Sequence, residues 1–202
     1  DLDVDAAVII GVGNVALDVA RVLAKTSSEM SVTDLVPYAA DAAHASPITD
    51  VHMLGRRGPV EASFTNVELR EMGELENAAP VMNPDHLPGR IVADYMSDRD
   101  LRLREKNIET MRSFLDVSPE GKSKKVHFGF YASPVEILGR NRVEGVRVER
   151  TTVDSKGKVH GTGETYDIPC QLVITCIGSR AFPIDNLPFN DKWGIVENED
   201  GK

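Results

Sequence analysis

Apolar residues follow two rhythms along this chain. Ala6 to Ile10 is an unbroken apolar run, the pattern of a buried strand. After Gly11-Val12-Gly13, the residues Val15, Leu17, Val19 and Val22 mix with alanine in a helical pattern. The stretch therefore predicts strand, glycine turn, helix, with Asn14 placed to cap the helix. Lys25 to Pro47 is an extra segment in which Thr33-Asp34 and Ala39, Ala40, Ala42 and Ala43 allow a short peripheral helix. Ile48 to Leu54 predicts a second parallel strand running into Gly55-Arg56-Arg57-Gly58-Pro59. Thr65 to Leu75 predicts a helix, with Thr65 and Glu68 spaced as a capping box. Ala79 to Met82 reads as a third strand, and Asn83-Pro84 and Leu87-Pro88-Gly89 as loops. Ile91 to Leu115 carries a long helical pattern closed by the turn residues Ser118 to Lys122.

The rhythm then changes to strand-like alternation. Lys125 to Tyr131, Ser133 to Leu138, Arg142 to Thr152 and Lys158 to Ile168 predict an antiparallel layer laid across the parallel sheet. Pro169 to Gly178 is an apolar strand fit for the centre of a sheet, and a Pro-rich tail runs from Phe182 to Gly201. The fold class expected is α/β: a Rossmann-like parallel sheet flanked by helices, with an antiparallel β layer, as one domain over residues 1–202.

Composition narrows the function. The 202 residues hold 41% hydrophobic and 27% charged positions, enough to bury a core. Lys plus Arg total 23 against 32 Asp plus Glu, a net charge of −9. An acidic chain is unsuited to binding nucleic acid over a broad face, which needs clustered cations. Cys170 and Cys176 form neither a C-x-x-C pair nor a zinc pattern, and two thiols on or beside a strand fit a reducing compartment such as the cytoplasm. The five histidines form no i, i+4 pair, and no metal site is assigned. No apolar run reaches the ~18 residues of a membrane span. The chain opens at Asp1, without Met, almost directly on a strand, as an excised domain would; its targeting is then unreadable.

The candidate chemistry lies in two turns. Gly11, Gly13 and Ala16 have the G-x-G-x-x-G/A spacing of a dinucleotide turn: tight turn, room for a pyrophosphate, close helix packing. The free N–H groups and positive dipole end of the helix then face the phosphates. In NAD proteins an acid about 20 residues past the glycines takes the ribose 2′-OH. Here the second strand ends instead in Arg56 and Arg57. Guanidinium groups donate charge-assisted pairs to a 2′-phosphate, so the site should prefer NADP, unless the two arginines are only a solvated turn.

Four stretches in order, GVGNVALDVARVLAK, LGRRGPVEASFTNVELREM, FGFYASPVEILG and QLVITCIG, resemble the NADP-binding domain of adrenodoxin-type ferredoxin-NADP reductases, from about Ala7 to about Ile195. The second is the specific one. The resemblance implies a flavoenzyme whose NADP domain is inserted in a larger FAD domain that lies outside these residues. It implies that Val12, Gly13, Asn14 and Val15 contact the pyrophosphate, Arg56 and Arg57 the 2′-phosphate, and that Glu68 belongs to the NADP site; Glu68 as a capping residue stays an equal alternative. Ser179 departs from the family, where an aromatic residue is expected. The resemblance further implies electron transfer from NADPH through FAD to a ferredoxin. The isolated chain is then expected to bind NADP(H), to catalyse nothing and to supply no catalytic residue. The best basic docking patch is Arg99, Arg102, Arg104 and Lys106, reinforced by Arg112, unless that run is simply a solvated helix face. Disulfide reductases, monooxygenases and the small subunit of glutamate synthase share the paired-nucleotide architecture. A nucleotide-sensing regulator is the non-enzymatic alternative.

Overall fold

The computed structural model describes residues 2–198. Five parallel strands form the main sheet: β1 (Ala6–Ile10), β2 (Asp50–Gly55), β3 (Ala78–Met82), β4 (Lys124–Phe130) and β8 (Leu172–Thr175), in the order β3-β4-β2-β1-β8. Three antiparallel strands, β5 (Ala132–Leu138), β6 (Gly145–Val153) and β7 (Val159–Pro169), make a second sheet. A small hairpin of β9 (Phe189–Asn190) and β10 (Ile195–Val196) lies in the tail, whose last residues, 199–201, fall outside the described ones. Among the described residues, no helix is long and apolar enough to cross a membrane.

Strand alternation sends odd and even residues of β1 to opposite faces. Ala7 and Ile9 join Val51, Met53, Val126 and Phe128 under α1 (Asn14–Ala24), whose buried stripe is Ala16, Leu17, Ala20, Leu23 and Ala24. On the other face, Val8 and Leu54 meet Ala132, Val146, Val148 and Ile168 of the antiparallel sheet. Two apolar layers thus sandwich β1 and β2, and the ends of these strands are held from both sides.

Several elements differ from the sequence expectation. The extra segment holds two short helices, α2 (Ser27–Met30) and α3 (Pro37–His44). Lys125 to Tyr131 does not belong to the antiparallel layer: β4 is parallel to both β2 and β3 and sits between them. Its alternation arises because Val126, Phe128 and Phe130 face the main core while His127 and Gly129 face the other side, less covered. The apolar strand expected at the centre is β8, at the edge, paired among the described residues with β1 alone. The long helix begins later than Ile91: Ser97 caps α5 (Asp98–Ser113), its hydroxyl accepting from the Asp100 N–H at 3.2 Å. Its last turn tightens to a 3-10 turn at Phe114–Asp116. The helix expected from Thr65 to Leu75 is six residues long, α4 (Asn66–Glu71).

The sheet also assembles a histidine pair that sequence spacing does not show. His52 of β2 and His127 of β4 are in register, their rings stacked at 4.3 Å between centroids, 10° apart. His127 Nε2 lies 2.7 Å from Asp50 Oδ1, and Asp50 Oδ2 accepts from Thr49. Both Asp50 oxygens are thus engaged, one by His127 and one by Thr49. Burial and the neighbouring His127 hold His52 down at about 4. In the unfolded chain it protonates near 6.5, so between these values the unfolded state binds the extra proton and stability falls as pH falls. The loss expected across that window is on the order of 2 kcal/mol. Urea unfolding of the His52→Val variant should lose that part of the pH dependence. A profile unchanged from the parent would contradict this account.

Candidate functional site

A cleft of about 790 Å³ opens where β1, β2 and β8 end. This is the switch point of the sheet: the chain leaves β1 toward β2 on one side and returns as β8 on the other. Residues 10–15, 54–57, 133–134 and 176–178 line it, with Glu61 and Ser63. Gly11, Val12, Gly13, Asn14, Val15, Arg56 and Arg57 are therefore brought together; Glu68 is not among the lining residues.

Gly11 sits where three strands meet. Its φ is +134°, and a Cβ there would lie 2.3 Å from the Cys176 carbonyl oxygen. Its N–H donates to the Leu54 carbonyl at 2.9 Å, and the Cys176 N–H donates to the Ile10 carbonyl at 2.8 Å. Helix α1 starts at once, with Gly13 at its N-cap and no side-chain cap. Asn14 does not cap it: Asn14 Oδ1 accepts from the Thr65 N–H at 2.7 Å, because the loop after β2 passes within reach. Ser63 reinforces that tie, its N–H donating to the Val12 carbonyl at 3.0 Å. The first-turn amides of α1 are thus left to an incoming anion.

The arginine turn is rigid in its backbone and free in its side chains. Thr151 Oγ1 donates to the Arg56 carbonyl at 2.7 Å, and the Tyr131 N–H donates to the Arg57 carbonyl at 2.9 Å. Thr151 lies beside an irregularity in the β6–β7 pairing between Glu149 and Thr151. Both guanidinium groups are exposed, and among the described residues none of the hydrogen bonds or ion pairs engages either one. Exposed cations on a pinned backbone beside an uncapped helix start suit an elongated ligand with a pyrophosphate in the middle and a phosphomonoester at one end.

Helix α4 departs from expectation in a way that matters for the site. Thr65 makes no side-chain cap, so the capping box is absent. The Glu68 carboxylate instead accepts from Arg21 of α1, together with Glu71 and Asp18. The Arg21 side chain is 13% exposed, so this nearly buried guanidinium locks α4 onto α1. Arg104, expected on a docking face, turns inward to donate to the Ala62 carbonyl, while Asn107 Nδ2 donates to the Phe64 carbonyl at 3.0 Å. Both brace the 59–66 loop from behind. Arg99, Arg102 and Lys106 remain exposed at i, i+3 and i+7 on one face of α5, whereas Arg112 donates to the Pro88 carbonyl.

Glu61, Ser63, Ser133, Pro134 and Cys176 to Gly178 also line the cleft and were not singled out in the sequence. The signal was present, since each lies inside one of the four stretches that carry the family resemblance. Burial pushes the half-buried Cys176 thiol up, which favours the protonated form.

No family model matches the chain. Curated relatives do. NADPH-ferredoxin reductase FprA of Mycobacterium tuberculosis is 36% identical over 206 residues, covering 100% of this chain and 45% of the relative. The mitochondrial NADPH:adrenodoxin oxidoreductase of Arabidopsis thaliana is 34% identical, covering 98% of this chain and 43% of its own length. Its Homo sapiens counterpart is also 34% identical, at 100% and 44%. The structure of Mycobacterium tuberculosis FprA in complex with NADPH superposes with a TM-score of 0.85 at 35% identity, covering 98% of this chain and 44% of that one. The chain spans a little under half the length of these relatives. With the likeness running unbroken along the chain in both sequence and fold, the chain is similar over its whole length to one part, a little under half, of the adrenodoxin-type NADPH-ferredoxin reductases.

Proposed function

We propose that this chain is the NADP(H)-binding domain of a flavin-dependent reductase that passes electrons from NADPH through FAD to a ferredoxin or similar iron-sulfur protein. The observation that carries the reading is the arginine turn, two guanidinium groups without a partner among the described residues, on a pinned backbone at the mouth of the cleft. The relatives' names, with NADPH and ferredoxin or adrenodoxin in them, support it. Bound there, NADPH would supply a hydride for a flavin to accept. The residues of this chain bind and orient: Val12 to Val15 present amides to the pyrophosphate, and Arg56 and Arg57 receive the 2′-phosphate. Glu68, tied to Arg21, acts on the site by fixing α4 rather than by touching nucleotide.

The test compares two proteins. The full-length protein should carry flavin whose visible absorbance is lost when NADPH is added without oxygen. The 202-residue chain should bind NADP+ and show no flavin absorbance. A 202-residue chain that holds flavin and reduces a dye with NADPH would overturn this division of labour.

The docking face proposed for an acidic iron-sulfur protein is Arg99, Arg102 and Lys106 of α5, without Arg104. In the full-length protein, Arg99→Glu with Arg102→Glu should raise the KM for ferredoxin about tenfold and flatten its salt dependence. Unchanged values in both would remove this face from the proposal.

A further inference from the structure

Among the side chains lining the cleft with Arg56 and Arg57 is a carboxylate, Glu61, on the 3-10 turn Pro59–Glu61 that follows the arginine turn. An acid in this neighbourhood is chemically ambivalent. It repels a 2′-phosphate and competes with it for the guanidinium groups, yet it accepts well from a bare ribose 2′-OH. In the structure no ion pair joins Glu61 to either arginine among the described residues. Its Oε1 accepts instead from the Tyr95 hydroxyl. Tyr95 is itself held, its ring packed against Gly157 at the β6–β7 turn, where an added Cβ would lie 3.0 Å from Tyr95 Cε2. Burial and the bond to Glu61 push the Tyr95 phenol above its ordinary value, while the Arg57 charge, close enough to act on it, pulls it down. Tyr95 therefore stays a protonated donor, and Glu61, Tyr95 and Arg57 occupy one electrostatic neighbourhood.

We infer that Glu61 is a second determinant of nucleotide choice, opposed to the arginines, and that Tyr95 is the positioning residue that keeps its carboxylate from quenching them. The inference rests on the NADP reading above and names the group in this chain that sets how strong the preference is. Released from Tyr95, the carboxylate swings to the guanidinium groups or to a ribose hydroxyl. Either movement narrows the margin between NADPH and NADH. Neutralised, it widens that margin.

Titration calorimetry of the 202-residue protein with NADPH and with NADH tests this through the ratio of the two affinities. Glu61→Gln keeps shape and hydrogen bonding and removes the charge; the ratio should rise about fivefold, the scale of one partly screened charge pair. Tyr95→Phe should lower the ratio about threefold, the scale of one lost hydrogen bond. In the double variant, Tyr95→Phe should have no further effect, because the phenol acts only through the carboxylate. A merely structural role for Tyr95 would weaken both nucleotides alike and persist in the Glu61→Gln background; that result overturns its positioning role. A ratio unchanged by Glu61→Gln overturns the inference as a whole while leaving the arginines' role intact. A parent protein with no preference for NADPH instead overturns the nucleotide reading on which the inference stands.

Discussion

Replacing Gly11 by alanine should abolish dinucleotide binding and lower the stability of the protein by about 2–4 kcal/mol. The strain has two sources. A φ of +134° is foreign to any residue with a Cβ, and that Cβ would press to 2.3 Å from the Cys176 carbonyl oxygen and 2.9 Å from its carbon. Both are backbone atoms of the segment leaving β8, so no side chain can rotate away. Relief requires β1 and β8 to separate, which breaks the bond from Cys176 to Ile10 that shapes the cleft floor. Gly13→Ala is the natural comparison. Its Cβ would meet only the Ser63 hydroxyl at 3.0 Å, and its φ of −123° is ordinary. That variant should fold nearly as well as the parent yet bind nucleotide poorly, since the methyl stands where the pyrophosphate approaches. Urea unfolding and calorimetric titration of both separate the two effects. A Gly11→Ala protein with parental stability and affinity would contradict the role given to this turn.

The double variant Arg56→Ala, Arg57→Ala should weaken NADPH binding about 100-fold and leave NADH within about threefold. The backbone of the turn is held through the Arg56 and Arg57 carbonyls by Thr151 and Tyr131, and alanine keeps both carbonyls. The guanidinium groups are exposed and, among the described residues, otherwise unengaged, so their removal costs the fold little. What is lost is the charge-assisted pairing to the 2′-phosphate, with part of the salt sensitivity that accompanies it. Unfolding midpoints measured alongside the titrations should stay within experimental error of the parent. An equal loss for both nucleotides would assign the arginines a structural role instead.

How much of this was legible in the sequence depends on the range over which each constraint acts. The glycine turn is a local backbone requirement, and Gly11, Gly13 and Ala16 display it without reference to the rest of the chain. The arginine pair was visible at the strand end too, although spacing alone did not separate a phosphate site from a solvated turn. Side-chain partnerships were not legible. Asn14 and Glu68 both look like caps by spacing, but partners from about 50 positions away claim them: the Thr65 N–H for one, Arg21 for the other. Local patterns rank the nearby hydrogen bonds a polar side chain can make and say nothing of those the fold brings to it.

Strand neighbours were hidden for a related reason. Alternation in Lys125 to Tyr131 reports that one face is more covered than the other, which holds for β4 inside a parallel sheet as well as for a strand in a meander. The uniform apolar character of β8 reports two covered faces and leaves open whether the strand is central or at an edge. Arg104 shows the same limit on a helix. Among Arg99, Arg102, Arg104 and Lys106 the sequence offers four like cations, and only packing of α5 on the 59–66 loop separates the one that donates to Ala62 from the three that face out.

The central claim is that the two guanidinium groups make this cleft a site for the phosphorylated coenzyme. Its most direct test is titration of the unmodified 202-residue protein with NADP+ and NAD+ under identical salt. NADP+ should bind about 100-fold more tightly, with the margin narrowing as salt is raised. Equal affinities at low salt would contradict the account.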